Sequence, residues 1–78
     1  MKIELRLYAS LSRYMPERWK SSPVVDIPEN MTVKELLETT EVPFGAVKVI
    51  FINGLHASGD EVLRDGDRVG VFPPVAGG

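Results

Sequence analysis

Leu63-Arg64-Asp65-Gly66-Asp67-Arg68-Val69-Gly70-Val71-Phe72-Pro73-Pro74-Val75-Ala76-Gly77-Gly78 is the stretch on which the reading turns. Asp65-Gly66-Asp67 is a turn signal, since glycine reaches backbone conformations that other residues avoid. Val69-Gly70-Val71-Phe72 then alternates and is rich in strand-forming side chains. Pro73 and Pro74 cannot donate to a ladder, so the sheet must stop there. They also hold the chain extended. Gly77 and Gly78 lack Cβ atoms, so the last two peptide units fit a channel too narrow for other residues. The six residues after Phe72 span roughly 20 Å when extended. The reading is therefore a last strand, a stiff stem and a slender tip. Residues 1–72 are expected to form one domain and 73–78 a Gly-Gly tail.

Upstream, Lys2-Ile3-Glu4-Leu5-Arg6-Leu7 has period 2, with Ile3, Leu5 and Leu7 on one face of a strand. Ala9 to Met15 reads as one or two helical turns, and Pro16 to Pro23 as a loop anchored by Trp19. Val24 to Ile27 is a second short strand. Thr32-Val33-Lys34-Glu35 is a capping box, in which Thr32 and Glu35 satisfy each other's exposed backbone N–H groups. The helix it opens carries Val33, Leu36 and Leu37 on one face and ends near Thr40, before Pro43. Val47 to Ile52 is a third strand, Asn53-Gly54 a hairpin turn and Leu55 to Ala57 a brief fourth strand. One helix across a mixed sheet of four to five strands is an α+β architecture.

The helix covers one face of that sheet. If Lys48 points to solvent, Ile50 and Ile52 share its face, and Val47, Val49 and Phe51 turn to the helix. Phe72 and Gly70 fall on the open face with the isoleucines. Such an apolar patch either docks a partner or lies under the loop Pro16–Pro23.

The composition narrows the chemistry. The chain has 78 residues, a formal net charge of −2, no cysteine and one histidine. A deep active site is hard to build on so small a core. The charge disfavours nucleic acid. The lack of cysteine excludes a thiol nucleophile, a disulfide framework and a thiolate metal site. His56 has no paired ligand around it and reads as a surface or turn residue, so no metal or cofactor site is expected. No phosphate-binding glycine loop is present. The N-terminus, MKIELRLY, is neither a signal peptide nor a membrane span, and a cytoplasmic protein is expected. Asn30-Met31-Thr32 matches a glycosylation acceptor that carries no meaning in that compartment. The tail's carboxylate would be ionised at neutral pH and a poor electrophile. To react it must be activated, and a second protein must bind the ATP.

The segment LRDGDRVGVFPPVAGG closely resembles the C-terminus of the MoaD/ThiS sulfur carriers, and KIELRLYASL resembles their first strand and turn. The resemblance implies the ubiquitin-like β-grasp fold. It further implies that an E1-like adenylyltransferase activates Gly78 with ATP and that sulfur replaces AMP to give a thiocarboxylate. FPPVAGG is most similar to the tail of molybdopterin synthase small subunits. That implies a large subunit of molybdopterin synthase as second partner, in molybdenum or tungsten cofactor biosynthesis. Gly78 and Gly77 would be the reacting end. Phe72, Pro73, Pro74, Val75, Ala76, Ile50 and Ile52 would bind the partner. Three alternatives stand beside this one: a modifier joined to lysines, a thiazole-pathway carrier and a binding module that uses no tail chemistry.

Overall fold

The computed structural model describes residues 1–20 and 22–74. It contains β1 (Lys2–Leu7), β2 (Val24–Asp26), α1 (Val33–Thr39), β3 (Val49–Ile52), β4 (Leu55–Ala57) and β5 (Arg68–Phe72). Short 3-10 turns occupy Ala9–Tyr14, Glu17–Trp19 and Phe44–Ala46. The sheet order is β2-β1-β5-β3-β4. β5 is therefore central, parallel to β1 and antiparallel to β3. The expected α+β class and strand order along the chain hold.

Local chemistry fixes each junction. The Thr32 hydroxyl accepts from the Glu35 N–H at 3.1 Å, and Glu35 accepts from the Thr32 N–H at 2.9 Å, completing the capping box. The next two N–H groups of α1 are taken by loop carbonyls: Val33 donates to Glu61 and Lys34 to Gly59. The helix start is thus fully bonded without water. Asn53 and Gly54 have φ of 52° and 82°, which closes the two-residue hairpin between β3 and β4. Asp67 anchors the entry to β5 from both sides. Its carboxylate accepts from Asn53 Nδ2 at 2.9 Å and from the Arg64 N–H at 2.8 Å, while its carbonyl accepts from the Glu4 N–H at 2.8 Å.

The core lies between α1 and one face of the sheet. Ile3, Leu5, Leu7, Val25, Ile50, Val69 and Val71 from the sheet meet Val33, Leu36 and Leu37 of the helix. Each such side chain contributes roughly 1.5–3 kcal/mol on burial. Leu63, from the loop before β5, is also buried.

The expected faces of β3 are reversed. Ile50 is only 4% exposed and stands opposite Val71. Ile52 is half-buried, packs against the core and stands opposite Val69. Cross-strand partners share a face, so both isoleucines belong with the core valines of β5. Val49 and Phe51 occupy the open face, opposite Phe72 and Gly70. Val47 does pack against the core. Val47 and Ile50 are three residues apart, so strict alternation does not run between them. The strand begins only at Val49, after the 3-10 turn Phe44–Ala46. Lys48 precedes the regular strand, and its polarity does not report the strand's face.

Candidate functional site

The open face around the end of β5 is the candidate site. Phe72 is its centre. The period-2 pattern of β1 continues one residue past the strand, with extended backbone at Tyr8 (φ −96°, ψ 157°). This brings the Tyr8 ring to the same face as Lys2, Glu4 and Arg6. The Tyr8 and Phe72 rings stack with centroids 4.3 Å apart and planes 2° from parallel. Phe51 meets Phe72 edge to face at 5.8 Å, and His56 meets Phe51 at 4.6 Å. Offset and edge-to-face pairs of this kind add roughly 0.5–1.5 kcal/mol each beyond burial.

Gly70 makes room for the cluster. A Cβ built there would lie 3.4 Å from the Tyr8 ring and 3.7 Å from the Phe72 ring. The two rings therefore lean over the bare backbone of the central strand. A larger side chain at this position would push them outward.

Two shallow clefts flank Phe72. One, of about 300 Å³, is lined by Arg6, Tyr8, Phe51, Arg68, Gly70 and Phe72 among others. The other, of about 330 Å³, is lined by Lys48, Val49, Phe51, His56, Phe72 and Pro73. Both are open to solvent. The loop Pro16–Pro23 flanks the cluster on the Tyr8 side: Trp19 packs against the core, and Trp19, Lys20, Ser22 and Pro23 line a cleft with Leu5, Arg6, Leu7 and Tyr8, while neither cleft beside Phe72 is lined by a residue of this loop.

The charged groups are arranged around the rings. Arg6 Nε donates to Glu4 at 2.9 Å, and this hydrogen bond and the carboxylate's charge push Arg6 further above its already high range. Lys2 pairs with Asp26 at 3.6 Å. Glu4 is the register partner of Arg68 on β5. Among the described residues there is no group of three or more metal-ligating side chains, and no helix is long and apolar enough to cross a membrane.

The expected site residues therefore divide into three sets. Phe72 ends the central strand on the open face, Pro73 lines a cleft there, and Pro74 follows. Ile50 and Ile52 are turned to the core and leave the patch. Val75, Ala76, Gly77 and Gly78 lie outside the described residues. Tyr8, Val49 and Phe51 take the place of the isoleucines. Tyr8 was signalled by the alternation Lys2, Glu4, Arg6, Tyr8. Phe51 was signalled only through its pairing with Gly70, which a single sequence does not display.

A five-stranded mixed sheet with its last strand at the centre, parallel to the first, and one helix across a single face is the ubiquitin-like β-grasp. The sequence profile of the ThiS family matches residues 7–78. The chain belongs to the ThiS family. Among solved structures it is similar to a putative molybdopterin converting factor subunit 1 from Pyrococcus furiosus. That match has 27% identity and a TM-score of 0.66 and covers 95% of this chain and 98% of the other. Small archaeal modifier protein 1 of Haloferax volcanii is 22% identical, with a TM-score of 0.67 and coverage of 95% and 98%. The complex of subunits 1 and 2 of the Helicobacter pylori molybdopterin-converting factor gives 24% identity, a TM-score of 0.59 and full coverage of both chains. No match was found among curated proteins.

Proposed function

We propose that the protein is a sulfur carrier whose working group is the carboxylate of Gly78. An E1-like adenylyltransferase transfers AMP from ATP to that carboxylate and releases pyrophosphate. A sulfur nucleophile then displaces AMP, and the C-terminus becomes a thiocarboxylate. The chain itself supplies no nucleophile and binds no ATP in this scheme. It supplies a docking face, a stem of fixed direction and a tip that enters another protein's active site. The observation that carries the reading is the family match, which runs through the glycines of a stem rooted on the central strand beside an exposed aromatic cluster.

The pathway we favour is molybdopterin synthesis, with this chain as small subunit beside a large subunit of molybdopterin synthase. Pro73-Pro74 before the glycines supports it. So does the likeness to the Pyrococcus furiosus protein, and the Helicobacter pylori subunits form a complex of the corresponding kind. A second reading joins Gly78 to lysines of other proteins, and it draws on the likeness to small archaeal modifier protein 1. One experiment separates them. The protein is incubated with the E1-like enzyme of its source organism, ATP and a sulfur donor, and intact masses are measured. Gain of one sulfur in place of one oxygen at Gly78 is expected. Adducts on lysine without that gain would favour the modifier, and an unchanged mass would reject both.

A further inference from the structure

The charge on the open face differs in sign from that of the chain. The whole chain carries a net charge of −2. On the open face, Glu4 is satisfied by Arg6 and Asp26 by Lys2. Two cations are left over, Arg68 and Lys48. Neither meets a carboxylate within 4.0 Å among the described residues. They sit on opposite sides of the aromatic cluster. Arg68 lines the cleft with Tyr8, Gly70 and Phe72, and Lys48 lines the one with Val49, His56 and Pro73. Of the other carboxylates, Glu29, Glu35, Glu38, Glu41, Asp60 and Glu61 lie on the helix and its flanking loops, Glu17 lies in the turn Glu17–Trp19, and Asp65 and Asp67 lie in the turn before β5, where the Asp67 carboxylate is held by Asn53 and the Arg64 N–H. A protein with this distribution has a positive pole at Phe72 and a negative pole behind it.

Resting on the carrier reading above, we infer that the partner surface that docks on this face is an apolar socket rimmed with carboxylates. The apolar centre matches Tyr8, Phe51 and Phe72. The rim must place acidic groups toward Arg68 and Lys48 on either side of it. A neutral or basic rim would leave both cations facing unfavourable neighbours on docking. The negative pole would be repelled from the same socket, so the field also turns the stem toward the partner before contact. Charge pairs at a rim act chiefly on the rate of encounter, while the buried aromatic anchor sets the rate of departure. The two kinds of contact can thus be told apart.

The test uses the full-length protein and the E1-like adenylyltransferase of its source organism, with association and dissociation followed at several salt concentrations. The double variant Arg68→Glu/Lys48→Glu should slow association about tenfold or more at low salt and flatten or invert the salt dependence. Its dissociation rate should change much less. Phe72→Ala should do the reverse, raising the dissociation rate and leaving the salt dependence in place. Thermal melts of both variants check that the fold is kept, and single reversals replace the double variant if it does not fold. Loss of binding in Phe72→Ala with no effect of charge reversal on the association rate would overturn the acidic rim and leave the docking face standing. Binding that is indifferent to Phe72→Ala as well would overturn both.

Discussion

Replacing Ile50 and Phe51 one at a time by alanine tests the orientation of β3, on which the location of the docking face depends. Ile50 is 4% exposed, opposite Val71, within the cluster that includes Leu36 and Leu5. Truncating a buried isoleucine costs about 2–5 kcal/mol. A domain of this length has a total stability of about 4–12 kcal/mol. With an unfolding entropy of about 2.1 cal/mol/K per residue, each kcal/mol moves the melting temperature by about 6 °C. Ile50→Ala should therefore melt about 12–30 °C below the parent, and at the upper end it will not fold at 37 °C. Phe51 has no place in that core. It loses its edge contacts to Phe72 and His56, each worth roughly 0.5–1.5 kcal/mol, and some partly buried area. Phe51→Ala should fall by about 6–18 °C. Calorimetry or circular dichroism melts measure both. A Phe51→Ala protein that melts below Ile50→Ala would refute the face assignment, and the aromatic docking surface with it.

Gly70→Leu should keep most of the stability, because nothing in the central strand's backbone requires glycine there. It should open the Tyr8–Phe72 stack, visible as a change in near-ultraviolet circular dichroism, and weaken partner binding. Gly70→Ala should leave both intact, its Cβ being in ordinary contact with the two rings. Deleting Gly78 should abolish sulfur loading without altering the melt, because the reacting carbon would stand about 3 Å or more from its place. A truncated chain that still gains sulfur sinks the tail mechanism. Backbone donors hold two carboxylates below their ordinary 4.5: Thr32 for Glu35, and first Ser58, then Gly59, for Glu61. A depressed folded value means their contribution is complete above pH 4.5 and lost as pH falls through the lower folded value. Glu61→Gln should accordingly flatten the acid limb of a stability-against-pH curve, and an unchanged limb would show that the loop does not depend on that charge.

How much of this was legible beforehand depends on whether a residue's position is set locally or by a distant strand. The capping box, the Asn53-Gly54 hairpin and the strand β5 were legible, because a few adjacent residues dictate each. The fold class followed from their order. The face of β3 was not legible. It is set by pairing with β5, seventeen or more residues later along the chain, and by the 3-10 turn at Phe44–Ala46 that interrupts the alternation. Leu63 was also overlooked. It sits in a loop with no period of its own and enters the core because the Leu63 N–H is tied to the Met31 carbonyl at 2.8 Å. At the site, Phe72 and the prolines announced themselves through sequence and Tyr8 through the alternation of β1, whereas Phe51 acquires meaning only through its pairing with Gly70.

The central position of β5 has a consequence for biosynthesis. This strand is the last of the five to be made, yet β1 and β3 meet only through it. While Arg68–Phe72 is still inside the ribosome, β1 with β2 and β3 with β4 are two separate hairpins, each marginal alone in water. The sheet can close only after the stem has nearly emerged. Nascent fragments therefore have no assembled sheet face to offer, and they remain open to proteolysis. An activating enzyme of the kind proposed above would thus meet on that face almost exclusively molecules that already carry β5. In the proposed role, folding would proofread the chain before any chemistry begins.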